Sequence, residues 1–387
     1  MSGLDDEILY PGETVGIIGD SENGPMIVTA ARRAGFQVGA YGPDETSPML
    51  QLADFRFVGE YSDAQRLQDF SQSCDMVIIA SEHLNAGVIE TIKQYTRVPQ
   101  GSDFQMMMQD RLLERAFYEQ LNVNIPPYAT IVSLDDVYQA INSIGYPSVL
   151  KPIQKDLEHG EELIINTQTD IAKANGLTDW GTYILESLVS YQRELAMTVV
   201  RTADGDFKLF PPVGVVREGD QIQWAYTPIQ LDPEVTIELE RICREVVANI
   251  EYVGVFEIDF MITDAGSLYV KQIVPTFGPA GRIFDRATTV TQYEQHLRAV
   301  AGLPLSEPNI TLPTAMGIFN ESQLGALRTQ WVLKANWHFT YYRLPPRNLP
   351  TGKRPAGNVI LQGPNVAKLI DQLEDTGIWR SETDAEA

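Results

Sequence analysis

From residue 14 the chain alternates short apolar runs with amphipathic stretches. "TVGIIG" is a continuous apolar run and predicts a buried strand. "GPMIVTAARRAG" spaces its apolar residues as a helix does, with Gly35 as its stop signal, and "FQVGAYG" predicts the next strand. "FRFVG" and "DMVIIAS" predict two more strands, with the helix "SDAQRLQDFSQ" between them. Such an order predicts an α/β unit, a small parallel sheet flanked by helices, over roughly the first hundred residues.

The pattern then changes. "QDRLLERAFYEQLN" is a charged amphipathic helix, and "LDDVYQAINSIG" is a second one after the Pro-rich "VNIPPY". "YPSVLKPI", "EELIINT", "TYILESLV", "ELAMTVVRT" and "FKLFPPVGVV" read as antiparallel strands, with Asp204-Gly205 as a turn inside the last pair. A long helix, "PEVTIELERICREVVANI", precedes the strand–turn–strand "VGVFEIDFMITDAGSLYVKQIVP", and "TQYEQHLRAVAGLPL" closes the region. From Pro313 the chain reads as a small, mostly β unit ending in the helix "NVAKLIDQLED". The expected division is 1–110, an N-terminal α/β domain; 111–307, an α+β domain; 308–380, a small C-terminal domain; and 381–387, an acidic tail.

Length supports this division, because 387 residues exceed one ordinary core. With 29 Lys and Arg against 52 Asp and Glu, the formal net charge is −23. That field opposes nucleic acid and anionic membranes, so neither is expected as a partner, and any phosphate site needs a local cluster of donors. Cys74 and Cys243 stand far apart, and the four histidines are scattered, so neither a disulfide framework nor a zinc site is expected. No basic, apolar leader opens the chain, and runs such as "MVIIA" are too short to span a bilayer. The expectation is a soluble cytoplasmic protein.

Candidate chemistry sits in four places. The loop "GDSENG", Gly19 to Gly24, joins a strand to a helix N-terminus and is either an anion cradle or an ordinary βα turn. Asp20 and Glu22 argue for the turn, since they repel phosphate and compete for the same amides. Lys151 ends a strand, where an ammonium can meet a phosphate or simply face solvent. Glu186 and Glu194 flank a bend in "ILESLVSYQRE". In "VFEIDFM", strand alternation places Val255, Glu257 and Asp259 on one face and Phe256, Ile258 and Phe260 on the other. That acidic face is either a polar cleft or a solvated edge.

In this order the pieces resemble the ATP-grasp superfamily and, within it, the ATP-dependent carboxyaminoimidazole ribonucleotide synthetases of purine biosynthesis. The resemblance runs through nearly the whole chain and is clearest at "MIVTAARRAGFQV", "QDRLLERAFYEQLNVNIPPY", "YPSVLKP", "YVGVFEIDFMIT" and "TQYEQHLRAVAGLPL". It implies an ATP-grasp fold with a Rossmann-like N-terminal domain, ATP and Mg2+ as cofactors, a small ribonucleotide as substrate, a homodimer, and carboxylation through carboxyphosphate. It also implies roles. Arg111 and Lys151 match basic ATP contacts, Glu186 to Val189 the adenine hinge, and Glu194 the ribose carboxylate. Gly19, Gly24, Glu82 and Arg354 match the substrate side. Asp259 takes the place of the first metal-binding glutamate.

The sequence departs from the family at its chemistry. The glycine-rich first loop becomes "GDSENG", and the glycine-rich phosphate lid becomes "QKDLEHGEE", where only Gly160 remains among Asp156, Glu158, Glu161 and Glu162. In the second metal strand the asparagine and glutamate become Lys271 and Gln272, the arginine becomes Thr276, and the following His-Asn becomes Gly278-Pro279. In the C-terminal motif a lysine becomes Pro355. Half a metal site is expected, with Gln272 at the lost carboxylate and Glu257, roughly 6.6 Å along the strand, as a replacement ligand. Three readings follow: an active synthetase with unusual motifs, a degenerate ligand-binding or regulatory relative, and a ligase with another substrate.

Overall fold

The computed structural model describes residues 8–155, 162–177, 181–219, 221–343 and 354–379. In the first domain, β1 (Thr14–Ile18), β2 (Gln37–Gly42), β3 (Phe55–Val58) and β4 (Met76–Ile79) form a parallel sheet in the order β3-β2-β1-β4. The helices α1 (Gly24–Arg33), α2 (Pro48–Leu52), α3 (Ala64–Gln72) and α4 (Ala86–Lys93) surround it. The apolar run of β1 is continuous because both its faces are covered. Val15, Ile17 and Ile18 are fully buried, Ile17 toward α1 and Ile18 toward α3 and α4.

The predicted helix "QDRLLERAFYEQLN" is α6 (Arg111–Gln120), and a second helix that was not predicted, α5 (Asp103–Gln109), precedes it. Asp110 leaves helical geometry between them, and its carboxylate caps α6 by accepting from the amides of Leu112 and Leu113. Next comes a four-stranded antiparallel sheet of β5 (Tyr128–Ile131), β6 (Ser148–Pro152), β7 (Leu163–Ile165) and β8 (Tyr183–Ser187), in the order β5-β8-β6-β7. Helix α7 (Leu134–Ile144), opened by a reciprocal Ser133–Asp136 capping box, packs on it.

The largest element is a nine-stranded sheet. It contains β9 (Arg193–Arg201), β10 (Phe207–Leu209), β11 (Val213–Glu218), β12 (Gln221–Thr227), β13 (Gly254–Ile262), β14 (Leu268–Val274), β15 (Thr314–Asn320), β16 (His338–Tyr341) and β17 (Pro355–Gln362). Its order is β14-β13-β9-β11-β12-β15-β17-β16, with β10 paired to β9. The C-terminal strands therefore extend the central sheet, through β12 against β15, instead of forming a sheet of their own. Among the described residues five more α-helices follow: α8 (Pro233–Ala248), α9 (Phe284–Ala287), α10 (Gln292–Val300), α11 (Leu324–Leu333) and α12 (Val366–Glu374).

The predicted alternation of β13 holds. Phe256, Ile258 and Phe260 join the core beneath α5, α6 and α8, while Val255 joins the core shared with the first domain. Glu257 and Asp259 share the Val255 face and are buried, so this face is no solvated edge. The acidic C-terminal residues and most of the lid, including Gly160, Asp156, Glu158 and Glu161, lie outside the described residues. Among the described residues no helix is long and apolar enough to cross a membrane.

Candidate active-site cleft

Four neighbouring strands place the inner end of the cleft. Glu194 is the second residue of β9, Arg217 lies at a bulge in β11, Asp259 stands mid-way along β13, and Lys271 and Gln272 follow on β14. Asp259 and Gln272 are direct cross-strand partners, and a second bulge follows Asp259. The side chains then meet. Arg217 donates through Nε to Glu194 Oε2 at 2.7 Å and through Nη2 to Asp259 Oδ2 at 3.0 Å. Lys271 Nζ reaches Glu194 Oε1 at 2.9 Å, and the Tyr191 hydroxyl donates to the same oxygen at 2.5 Å. Gln272 Nε2 donates to Asp259 Oδ2 at 2.9 Å.

Two carboxylates thus meet two cations in a mostly dry place, since the Arg217 side chain is 10% exposed and that of Asp259 only 2%. Burial alone would raise the pKa of Glu194. The Tyr191 hydrogen bond and the charges of Lys271 and Arg217 outweigh it and hold the carboxyl below its usual range. The Tyr191 phenol is correspondingly pushed up to about 12, by burial first and by Glu194 second. Asp259 Oδ1 is buried and accepts no hydrogen bond. Among the described residues no group of three or more His, Cys, Asp or Glu is placed to share a metal ion.

Glu257 faces away from this network. It accepts from the amides of Gly281 at 2.8 Å and Ala280 at 3.4 Å, and from the Thr198 hydroxyl at 3.4 Å. Its carboxyl lies so close to Gly278 that a Cβ there would sit 2.0 Å from Glu257 Cδ, so only glycine fits. Burial first, and Asp259 second, push its pKa up to about 8.

The outer cluster is also built on a buried guanidinium, with Arg115 2.7 Å from Glu186 and 3.5 Å from Glu114. Lys151 Nζ is 3.3 Å from Glu186. Arg111 bonds the Pro152 carbonyl at 2.8 Å and Glu162 at 2.9 Å. Glu114 receives Lys155 at 2.9 Å and the Tyr118 hydroxyl at 2.8 Å. Val189 follows β8, half-buried. The structure brings Arg111, Lys151 and Glu186 into this outer cluster and Glu194, Asp259 and Gln272 into the inner one.

The loop "GDSENG" is folded on itself. Gly19 takes φ +97° where a Cβ would meet Ser81 at 2.9 Å. The Asn23 amide donates to the Ser21 hydroxyl and the Gly24 amide to the Ser21 carbonyl. Asp20 accepts from the Ser47 hydroxyl at 2.6 Å, so the two acidic residues do not hold the loop amides. Glu22 lies 3.6 Å from Arg282, whose guanidinium stacks 4.6 Å from the Tyr342 ring and donates to Asn23.

Beside the inner network lies a cavity of about 360 Å³. Glu22, Glu82, Arg217, Arg282, Phe277 and Trp379 are among its walls. Glu82 enters it from the β4–α4 loop, with its carbonyl held by Gln105 and Gln109. Arg354 is exposed beside Pro355, which also lines the cavity. Sequence reasoning missed Arg217, Arg115 and Tyr191. For Arg217 the available signal was a basic residue inside the apolar alternation of "VGVVREGDQIQW", just before a turn.

Comparison with known proteins agrees with this architecture. A family model for the ribonucleotide synthetase preATP-grasp domain matches residues 12–109, and one for the ATP-grasp domain matches residues 116–292. The N5-carboxyaminoimidazole ribonucleotide synthase of Bacillus subtilis is 26% identical over 310 residues, covering 80% of this chain and 82% of that protein. A crystal structure of the ADP complex of an N5-carboxyaminoimidazole ribonucleotide synthetase superposes with a TM-score of 0.90 at 24% identity, covering 96% of this chain and 98% of the other. The Aspergillus clavatus enzyme, crystallised with ADP and 5-aminoimidazole ribonucleotide, has a TM-score of 0.85 at 20% identity, over 95% and 99% of the two chains.

Proposed function

Starting from a chain that belongs to the ATP-grasp superfamily and has carboxyaminoimidazole ribonucleotide synthases as relatives, we propose that it is a ligand-binding protein on that frame, one that no longer couples ATP to carboxylation. The observation that carries this reading is the state of Glu194. The residue expected to receive a ribose has both oxygens engaged, by Tyr191 and Lys271 on one and Arg217 on the other. A ribose hydroxyl would have to displace Tyr191, Lys271 or Arg217 from an ionised carboxylate, and displacing either cation gives up an ion pair. Ligand binding is supported by the cavity between the first domain and the large sheet, where Glu82 and Glu22 still stand.

The chain's own residues explain the loss. Carboxyl transfer through a phosphorylated intermediate needs charge stabilisation that appears only as the transition state forms. Here the cations nearest the reacting face are neutralised before any ligand arrives. A loss of several kcal/mol of stabilisation lowers the rate about tenfold for each ~1.4 kcal/mol. The test is paired. The purified chain is incubated with ATP, magnesium, bicarbonate and 5-aminoimidazole ribonucleotide, and ADP release is followed. The ribonucleotide alone is titrated by calorimetry. No ribonucleotide-stimulated ADP release, together with saturable ribonucleotide binding without ATP, is the expected result. Stimulated turnover would return the chain to the working synthases.

A further inference from the structure

We propose that Arg217 is a resident substitute for a divalent cation, and that the inner end of the cleft is metal-independent. The guanidinium spans two carboxylates on separate strands, Glu194 on β9 and Asp259 on β13, as a bridging ion would. Lys271 adds a second positive charge on Glu194. Asp259 keeps a single unpartnered oxygen, Oδ1, and its other oxygen is shared by Arg217 and Gln272.

Magnesium asks for near-octahedral oxygen ligation and usually takes one or two carboxylates with water and phosphate. One free carboxylate oxygen beside a guanidinium and an amide N–H does not meet that demand. Charge leads to the same conclusion. Glu194 and Asp259 against Arg217 and Lys271 leave no net negative charge to attract a divalent ion. The guanidinium also stays charged at any physiological pH, so the substitution is permanent. Glu257 does not rescue the site, because its carboxyl group is turned to the amides of Ala280 and Gly281.

This inference concerns the same face of the sheet as the function proposed above, but it fails in a different measurement. Mn2+ binding to the full chain is followed by electron paramagnetic resonance, using wild type, Asp259→Asn, the pair Gln272→Glu with Lys271→Asn, and that pair combined with Arg217→Gln. Wild type is expected to leave Mn2+ free at millimolar concentrations. Removing Arg217 in the paired background is expected to tighten Mn2+ binding by about tenfold or more. Tight Mn2+ binding by wild type that Asp259→Asn abolishes would overturn the inference. So would a folded triple variant that binds no better than wild type. If the triple variant does not fold, the wild-type and Asp259→Asn measurements still decide.

Discussion

The two ends of the cleft carry similar numbers of charges but handle them differently. At the outer end the cations are Lys151, Arg111, Lys155 and Arg115, and the Lys151 side chain remains 26% exposed. Each end has one nearly buried guanidinium serving two carboxylates, Arg115 with Glu186 and Glu114 at the outer end and Arg217 with Glu194 and Asp259 at the inner. Both outer carboxylates also have a lysine, while Asp259 has Arg217 and the Gln272 amide. The outer lysines, 26% and 23% exposed, can turn toward a ligand because water reaches them and Arg115 stays on both carboxylates. The Arg217–Asp259 pair, 10% and 2% exposed, cannot open without stranding charge in a dry place. The difference teaches that a motif's carboxylates do not define a site until the groups that neutralise them are known.

The sharpest way to break the comparison is Arg217→Ala. It leaves Glu194 and Asp259 without their shared partner, and it should cost about 3–5 kcal/mol in denaturant unfolding. A loss below about 1 kcal/mol would show the inner network to be no different from a surface pair. Gly278→Ala comes next. The added methyl collides with the Glu257 carboxyl, which is packed on all sides, and destabilisation of up to about 3 kcal/mol is expected. An unchanged melting curve would mean that Glu257 has room to move.

Acid titration probes the core at the start of β13, away from both clusters. His296 is fully buried, its Nδ1 accepts from the Val255 amide at 3.0 Å, and burial pulls its pKa from 6.5 down to about 3. The folded pKa is the lower one, so the contribution is complete above pH 6.5 and is lost as pH falls from 6.5 toward 3. By pH 5 the loss should reach about 2 kcal/mol, at 1.36 kcal/mol for each unit of pH below the unfolded pKa. His296→Gln should flatten that limb of a stability–pH curve, and an equally steep limb in the variant would clear His296 of the effect. The smallest change is expected at the outer end. Lys151→Ala should cost no more than about 1 kcal/mol, since Arg115 still holds Glu186 at 2.7 Å. A loss matching that of Arg217→Ala would erase the distinction between the two ends.

Periodicity carried most of the frame. The alternation of β13 put Glu257 and Asp259 opposite Phe256, Ile258 and Phe260, because a strand has no other way to arrange them. Helix α11 was illegible because it has little amphipathic pattern, and Trp331, Val332 and Leu333 are all exposed. Asp110 read as a polar residue in the first turn of a helix, whereas its β-region backbone makes it the cap before that helix and the break from α5. The membership of β15 in the central sheet depended on its pairing with β12, a contact between distant segments that local pattern does not encode. Arg217 escaped for the same reason. Its partners are 23 and 42 residues away, and only the strand order β13-β9-β11 brings them together.

The central claim is that side-chain cations have closed the inner cleft to magnesium-dependent nucleotide. Calorimetric titration with ATP, run once with magnesium and once with a chelator, tests it most directly. The account predicts that magnesium does not strengthen whatever binding occurs. A tenfold or greater tightening by magnesium, lost in Asp259→Asn, would contradict it.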